Sequence, residues 1–295
     1  MKISYNWLRY YLPFDLDPAH VAEILTDLGL EVESMETWES IKGGLRNFVI
    51  GEVLTCVKHP NADKLSLTTV NIGTGTPLKI VCGAPNVAAG QKVLVALPGA
   101  RIFSGNETFE IKKTKIRGEE SEGMICAEDE VGMGTSHEGI MVLDQNAVPG
   151  TSASEYFGVS TDTVYEIGLT PNRIDAASHY GIARDLAARL SLSSPVKARL
   201  PELPHLSVTG VEPPVKVVIE NTEGCRRYAG WYIRGVKVGP SPAWLQNRLR
   251  AVGLNPISNV VDVTNYVLYE TGQPLHAFDA DKIHGNTVVV KNLPS

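Results

Sequence analysis

The stretch from residue 258 to residue 283, SNVVDVTNYVLYETGQPLHAFDADKI, combines an apolar run with uncharged side chains that form hydrogen bonds. These side chains are Asn259, Thr264, Asn265, Gln273 and His276. The spacing of the valines predicts a helix from residue 260 to residue 269, and the Thr-Gly-Gln-Pro after it predicts a turn. His276 would follow the turn on a loop, where its imidazole can reach a ligand. The alternative is a buried polar cluster that satisfies its own backbone.

A second group of residues that could bind a ligand is basic. Four of its members are clustered, namely Lys112, Lys113, Lys115 and Arg117, and Lys58 and Lys64 lie on an earlier loop. Such a cluster can bind RNA phosphates, and each contact adds to the salt dependence of binding. The alternative is a solvated strand edge whose lysines discourage pairing between sheets. Three glutamates between residues 119 and 122 follow at once and weaken the local field.

Composition indicates a globular chain of two or three domains, with 295 residues of which 43% are hydrophobic and 20% charged. The net charge of −6 argues against binding of nucleic acid by bulk charge, so any such contact must use local patches. Four cysteines lie far apart without metal-ligand spacing, which predicts reduced thiols and no metal site. The absence of a long apolar stretch predicts a soluble, cytoplasmic protein with no membrane partner.

Residues 1–40 and 152–190 together predict one small α/β domain. The first segment predicts a helix that ends at Gly29 and a half-exposed strand after it, and the second predicts a strand and a helix capped by Ser178. Neither segment is large enough to bury its own apolar face. An insertion between chain ends that lie close together is tolerated, so residues 41–151 can interrupt this domain.

The interrupting segment predicts an all-β module. It contains five short runs rich in Val, Ile, Leu and Thr, separated by Pro, Gly and Asn: VIGEVLTCV, SLTTVNIG, LKIVCG, KVLVALPGA and GMICAEDEVG. Five such runs in this length predict a small closed barrel of OB type, a fold that binds oligonucleotides on one face and its loops.

Residues 191–214 contain five prolines and little periodicity, which predicts a linker. A further domain would open at residue 215 with the strand VKVVIE and continue to residue 295. Between Cys225 and Arg250, six basic and no acidic residues alternate with four aromatic residues, a pattern used in RNA binding. We expect the aromatic side chains in the core and the arginines partly free for RNA. We expect the last strand to have no pairing partner, which predicts that the sequence is the front part of a longer protein.

Several of these sequences resemble one known family. NVVDVTNYV, GQPLHAFD and the segment from CRRYAGWYIRG to GLNPISN resemble the start of the editing domain in beta subunits of bacterial phenylalanine–tRNA ligases. KHPNADKL, VCGAPNV and KTKIRGEESEGMICAEDE are similar to the tRNA-binding OB module of the same family and of several synthetase-associated proteins. TPNR-D and GIARDLAA match as well, so the resemblance runs from residue 1 to about residue 290.

This resemblance implies an α+β multidomain chain. It would consist of a small discontinuous α/β domain, an inserted five-stranded OB-type β-barrel, and the first part of a mixed α/β editing domain over residues 215–295. It also implies an enzyme that charges tRNA(Phe) with phenylalanine, built from two alpha and two beta subunits. ATP, Mg²⁺ and the amino acid would bind outside this chain. No cofactor is expected within the chain, and DNA is not expected as a partner.

The resemblance gives the two residue groups roles. A pocket that accepts phenylalanine excludes tyrosine by only ~10²-fold, so a second site must hydrolyse the mischarged product. The resemblance places His276, Thr264 and Asn265 in that pocket, with His276 orienting the terminal adenosine or the water. None is an evident nucleophile, so we expect attack by a positioned water. The basic cluster would make an auxiliary contact with tRNA, and the rest of the pocket would lie beyond residue 295.

Two hypotheses remain at this point. The first is the front part of a ligase beta subunit with roles in tRNA binding and editing. The second is a free-standing tRNA-binding or structural adaptor that has the OB module but no hydrolytic site. The segment around His276 favours the first, because an adaptor does not require it.

Overall fold

The computed structural model describes residues 1–104, 107–203, 205, 210 and 212–293. It divides the chain into two compact units, residues 1–36 with 163–295 as the first unit and residues 37–162 as the second unit. The domain boundaries expected from the sequence stay predictions. Within the expected linker, residues 204, 206–209 and 211 lie outside the described residues, as do residues 294 and 295 at the end of the last expected domain.

The helices of the described chain are α1 (Tyr5–Tyr11), α2 (Pro18–Asp27), α3 (Ala153–Tyr156), α4 (His179–Leu190), α5 (Ala243–Ala251) and α6 (Asn259–Thr271). Side-chain caps begin several of them, because a side-chain oxygen satisfies a free N–H group of the first turn. They include Asp17 for α2 and Ser178 for α4, which the sequence predicts, and Ser258 for α6. Helix α6 ends at Gly272, whose φ of 78° only glycine adopts readily. The helix and the turn predicted there are confirmed.

The strands are β1 (Lys2–Ser4), β2 (Glu31–Glu39), β3 (Phe48–Lys58), β4 (Ser66–Asn71), β5 (Leu78–Cys82), β6 (Lys92–Ala96), β7 (Arg101–Ser104), β8 (Glu107–Glu110), β9 (Thr114–Ile116), β10 (Glu119–Ser121), β11 (Met124–Ile125), β12 (Thr161–Gly168), β13 (Lys216–Ile219) and β14 (Thr287–Val290). In the first unit, β12 lies between β1 and β2 in one sheet. Ile3 of β1 pairs with Tyr165 of β12, so residues far apart in sequence form this sheet. Strands β13 and β14 form a separate parallel pair, so the expectation that the last strand has no pairing partner is wrong.

The second unit is built on a five-stranded antiparallel sheet in the order β11-β6-β3-β4-β5. Strand β11 also packs against β5, so the sheet nearly closes into a barrel. These strands correspond to the five apolar runs of the sequence, and the OB-type prediction is confirmed. The hairpins β7–β8 and β9–β10 were not predicted. Their strands are short and contain many polar residues, so they lack the apolar alternation that marks a strand.

The prediction that aromatic side chains between residues 225 and 250 lie in the core is wrong for three of them. Trp231, Tyr232 and Trp244 are 72%, 40% and 55% exposed. Residues 221–242 form no helix or strand, so no packed layer covers the first two rings. Trp244 lies on α5, where Leu245 and Leu249 face the interior instead.

A buried histidine on α4 connects the start of the chain with α6. His179 Nε2 accepts a hydrogen bond from the Ser4 N–H at 3.0 Å, so the ring proton lies on Nδ1, which donates to the Tyr269 carbonyl at 2.8 Å. The imidazole stacks on Trp7 with 3.9 Å between ring centroids, and Trp7 stacks on Tyr266 at 4.7 Å. The start of the chain, α4 and α6 therefore meet at one neutral imidazole. Burial lowers the pKa of His179 to about 3.

This histidine should make the first unit sensitive to acid. Its pKa is about 3 when folded and about 6.5 when unfolded. Between these values the unfolded chain binds a proton that the folded chain does not. Stability is therefore fully present above pH 6.5 and falls as the pH decreases, by up to about 1.4 kcal/mol per pH unit. We predict that His179→Gln lowers stability at pH 7 by roughly 1–3 kcal/mol, because it leaves a buried group unsatisfied.

The same variant should also flatten the dependence of stability on pH between 6.5 and 4.5. Urea midpoints followed by near-UV circular dichroism measure both effects. His20→Gln, which replaces an exposed imidazole on α2, is the control and should leave the slope unchanged. An equally steep slope in His179→Gln would contradict the assignment of the acid sensitivity to His179.

Candidate functional site

The predicted hydrolytic residues lie on α6 and on the loop after it. The Thr264 hydroxyl donates to the Val261 carbonyl at 2.7 Å, which uses its proton within the helix. Asn265 is half-buried on the same helix, and His276 is exposed on the loop with its ring 6.3 Å from that of Phe278. No hydrogen bond, ion pair or ring contact within the described chain joins His276 to Thr264 or Asn265. Their shared role stays a prediction.

Asn259 has a structural role instead. Its side-chain oxygen accepts from the Gly239 N–H at 3.2 Å, and its side-chain nitrogen donates to the Lys237 carbonyl at 2.9 Å. Both groups are thus used to hold the preceding loop against the start of α6. For Asn259, the structure agrees with the alternative interpretation, in which a polar side chain forms hydrogen bonds with nearby backbone groups.

The sequence reasoning missed Asp262, the most buried residue of α6. Its side chain is fully buried and accepts hydrogen bonds from the Ser241 hydroxyl at 2.5 Å and from the Ile257 N–H at 2.8 Å. A carboxylate in the first turn also interacts favourably with the helix dipole. The signal in the sequence was an acidic residue within the apolar run VVDV. Asp262 fixes the start of α6 to the two segments that precede it.

The packed face of α6 was also missed. Tyr266 and Tyr269 pack against the core of the first unit, whereas Val263 is 48% exposed. The guanidinium of Arg248 lies near four aromatic rings, at 4.7–5.9 Å from their centroids: Trp7, Tyr10, Trp244 and Tyr266. It also donates to the Tyr266 hydroxyl at 2.8 Å. Cation–π and hydrogen-bond contacts therefore anchor α6 on the side that carries Tyr266.

The predicted RNA-binding residues lie on the second unit. Lys112, Lys113, Lys115 and Arg117 are exposed along the segment that leads into the β9–β10 hairpin, and Lys58 and Lys64 are exposed around the β3–β4 loop. The hairpin turns at Arg117 and Gly118, with φ of 52° and 97°, as in a type I′ turn. A positive φ is uncommon for arginine, and it places this side chain at the tip of the hairpin.

Their charges are not equivalent. Lys113 Nζ lies 2.7 Å from Glu122 Oε1, and this contact raises the pKa of Lys113 and lowers that of Glu122. Lys115 lies opposite Glu120 in the hairpin. Among the described residues, no ion pair within 4.0 Å involves Lys112, Lys115 or Arg117. Lys113 is therefore the member least available to a phosphate.

Metal-ligating side chains do not cluster in the described part of the chain. No group of three or more His, Cys, Asp or Glu side chains in the described part could hold a metal ion. The residues present thus do not fit the Mg²⁺ that the family resemblance implies for the whole enzyme. The cysteines are free thiols, and burial raises the pKa of Cys82 and Cys126. Among the described helices, none is long and apolar enough to cross a membrane.

Comparison with known proteins gives two family matches. The family described as a putative tRNA binding domain matches residues 48–152, and the family described as the B3/4 domain matches residues 224–294. The first match covers most of the second unit. The second covers α5, α6 and the loop with His276.

Related proteins match the chain from end to end. It is 57% identical over 295 residues to a phenylalanine–tRNA ligase beta subunit from Bacteroides fragilis, which covers 100% of the chain and 36% of that protein. The proteins of the same name from Bacteroides thetaiotaomicron and Porphyromonas gingivalis are 56% and 53% identical, over 100% and 99% of the chain. The chain spans 36% of the length of these relatives as well.

The buried carboxylate of α6 leads to a prediction about the geometry of the site. Asp262→Ala should destabilise the first unit by roughly 1–3 kcal/mol for each orphaned donor, because the Ser241 hydroxyl and the Ile257 N–H lose their acceptor. Amide hydrogen exchange at the start of α6 should become faster before the rest of the unit is affected. Asp281→Ala, an exposed carboxylate of the same unit, is the control. Unchanged exchange at the start of α6 would show that Asp262 does not hold this end of the helix.

Proposed function

Because the chain is homologous over its whole length to phenylalanine–tRNA ligase beta subunits, we propose that it forms part of such a subunit. The observation that carries this proposal is the 57% identity over all 295 residues. The complete enzyme charges tRNA(Phe) with phenylalanine in the cytoplasm, with ATP and Mg²⁺ bound outside this chain. It is built from two alpha and two beta subunits. A free-standing adaptor is disfavoured, since the relatives carry the segment around His276 within a ligase subunit.

The second unit binds tRNA in this proposal. Its match to a putative tRNA binding domain and its OB-type barrel support the assignment. The unit is not basic overall, with ten Lys and Arg against twelve Asp and Glu between residues 44 and 150. Contact with phosphates therefore depends on local groups, and the exposed cations of the β9–β10 region provide them. This contact assists binding and does not select the amino acid.

The segment around α6 contributes one side of a hydrolytic site for tyrosine mischarged on tRNA(Phe). Thr264 Oγ1 donates its proton to the helix, and its lone pairs remain available to accept a hydrogen bond from the substrate. Asn265 supplies both a donor and an acceptor, and His276 orients the terminal adenosine or the attacking water. The water adds to the ester carbonyl, and the tRNA ribose oxygen leaves with a proton. Without a protein nucleophile, the rate depends on positioning.

The hydrolytic role can be tested in the complete enzyme. His276→Ala should reduce hydrolysis of tyrosyl-tRNA(Phe) by roughly 10²-fold, because the imidazole orients the terminal adenosine or the water and a misplacement of about 1 Å has an effect of this size. Charging with phenylalanine should remain close to wild type, because the two reactions use separate sites. His284→Ala, an exposed imidazole on the next turn, is the matched control. Equal losses of charging and hydrolysis in His276→Ala would refute the role.

The RNA contact can be tested with the chain as it stands. Replacing Lys112 and Lys115 by Ala should weaken tRNA binding at low salt. The slope of log affinity against log salt should become shallower by roughly 0.7–0.9 for each lost phosphate contact. Lys113→Ala should change the slope less, because Glu122 already pairs with that ammonium. If the slope of log affinity against log salt does not change in the double variant, Lys112 and Lys115 do not contact phosphates, and the alternative of a solvated strand edge would hold.

A further inference from the structure

A cavity of about 570 Å³ opens on the second unit beside the β9–β10 hairpin. Its apolar lining includes Val81, Ile125 and Ile140, all nearly buried. Its volume lies in the range of ~300–1,000 Å³ that is typical of sites for small organic groups. Of the six residues predicted to bind RNA, all of them described, Lys112 alone lines the cavity.

The walls of this cavity are held in place by side chains that bond to backbone. Asn86 holds the loop at residue 140 through two hydrogen bonds. Its side-chain nitrogen donates to the Ile140 carbonyl at 3.0 Å, and its side-chain oxygen accepts from the Ile140 N–H at 2.9 Å. Buried Ser121 accepts from the Val81 N–H at 3.1 Å and donates to the Gly123 carbonyl at 3.0 Å. The cavity is therefore formed before any ligand enters, which lowers the entropic cost of binding.

The charges around the cavity determine what it can accept. Glu110, Glu130 and Glu138 line it, against Lys112 and His137. An acidic lining repels phosphate, so the cavity does not suit the backbone of a nucleic acid. Carboxylates accept hydrogen bonds from the amino and imino groups of a nucleobase, and the apolar lining suits its ring. Phosphates would instead find Lys112 at the rim and Lys115 on the hairpin.

We propose that this cavity receives one unstacked nucleobase of a bound RNA, while the flanking phosphates lie on Lys112 and Lys115. Proteins that recognise RNA sequence bind such bases in loops and bulges, where the base is not held in a helix. The inference rests on the proposed function of the second unit as an RNA-binding module. It adds that the unit binds an unpaired nucleotide in preference to a uniform duplex.

Gly83 offers a position in the cavity wall where a side chain can be added without straining the backbone. It lines the cavity, and a Cβ added there would meet only Leu65 Cδ2, at an ordinary contact distance of 3.4 Å. We therefore use Gly83→Leu, with Gly239→Leu as the matched control. A Cβ on Gly239, which lies in the first unit, meets no atom within 4 Å. Near-UV circular dichroism verifies that both variants keep the fold.

The probes are a short RNA duplex and the same duplex with one bulged nucleotide, and affinities are measured by fluorescence anisotropy. Wild type and Gly239→Leu should bind the bulged RNA about tenfold or more tightly than the duplex, the effect expected from one buried base. Gly83→Leu should lose this preference but keep wild-type affinity for the duplex. Replacing Lys112 and Lys115 by Ala should weaken binding of both RNAs.

Two outcomes would overturn the proposal. One is a wild-type chain that binds both RNAs equally, and the other is a folded Gly83→Leu that keeps the full preference for the bulge. A wild-type chain that binds neither RNA at low salt would overturn the assignment of the second unit to RNA binding as well. The failure of the cavity proposal is thus distinguishable from the failure of the function on which it rests.

Discussion

The first unit depends on a neutral imidazole that is completely enclosed. His179 receives a hydrogen bond from the start of the chain and donates one to the last turn of α6, so its two nitrogens join segments about 90 and 175 residues away. Neither bond can be exchanged for water in this interior. A protonated ring could not accept the Ser4 N–H, which gives a structural reason for the neutral form in addition to the loss of solvation. Stacking on Trp7 then fixes the plane of the ring.

The position of α6 follows from this arrangement. Tyr269 is held through its carbonyl, Tyr266 through Trp7 and Arg248, and Asp262 through the two segments before the helix. These residues are spaced by four and three positions, so they form one continuous face of the helix. Thr264 is offset from that face, whereas Asn265 lies beside it, three residues after Asp262 and four before Tyr269. The helix is thus fixed by one side, and Thr264 is presented by another.

Local features of the fold were predictable from the sequence, and long-range features were not. Capping residues such as Asp17, Ser178 and Ser258 act within one turn, so they mark helix starts without knowledge of the tertiary structure. The five barrel strands were evident because buried strands need continuous apolar runs. The packed face of α6 was not evident, because its valines suggested an apolar stripe, whereas the contacts that hold it use aromatic, carboxylate and backbone groups. Such contacts depend on partners that sequence spacing does not reveal.

The RNA binding proposed for the second unit would depend on a separation of charge, because the unit has more acidic than basic residues. Lys112 and Lys115 stand in the β9–β10 region without a described ion pair, while the glutamates line the cavity beside it. A phosphate backbone drawn to the lysines is repelled from the cavity, so only an uncharged part of the nucleotide can enter. Long-range electrostatic attraction of RNA is weak for a chain of net charge −6. Discrimination between RNAs therefore depends on short-range contacts, which salt screens little. The RNA contact proposed for this unit would therefore depend on the shape and hydrogen-bonding groups of the nucleotide more than on its charge.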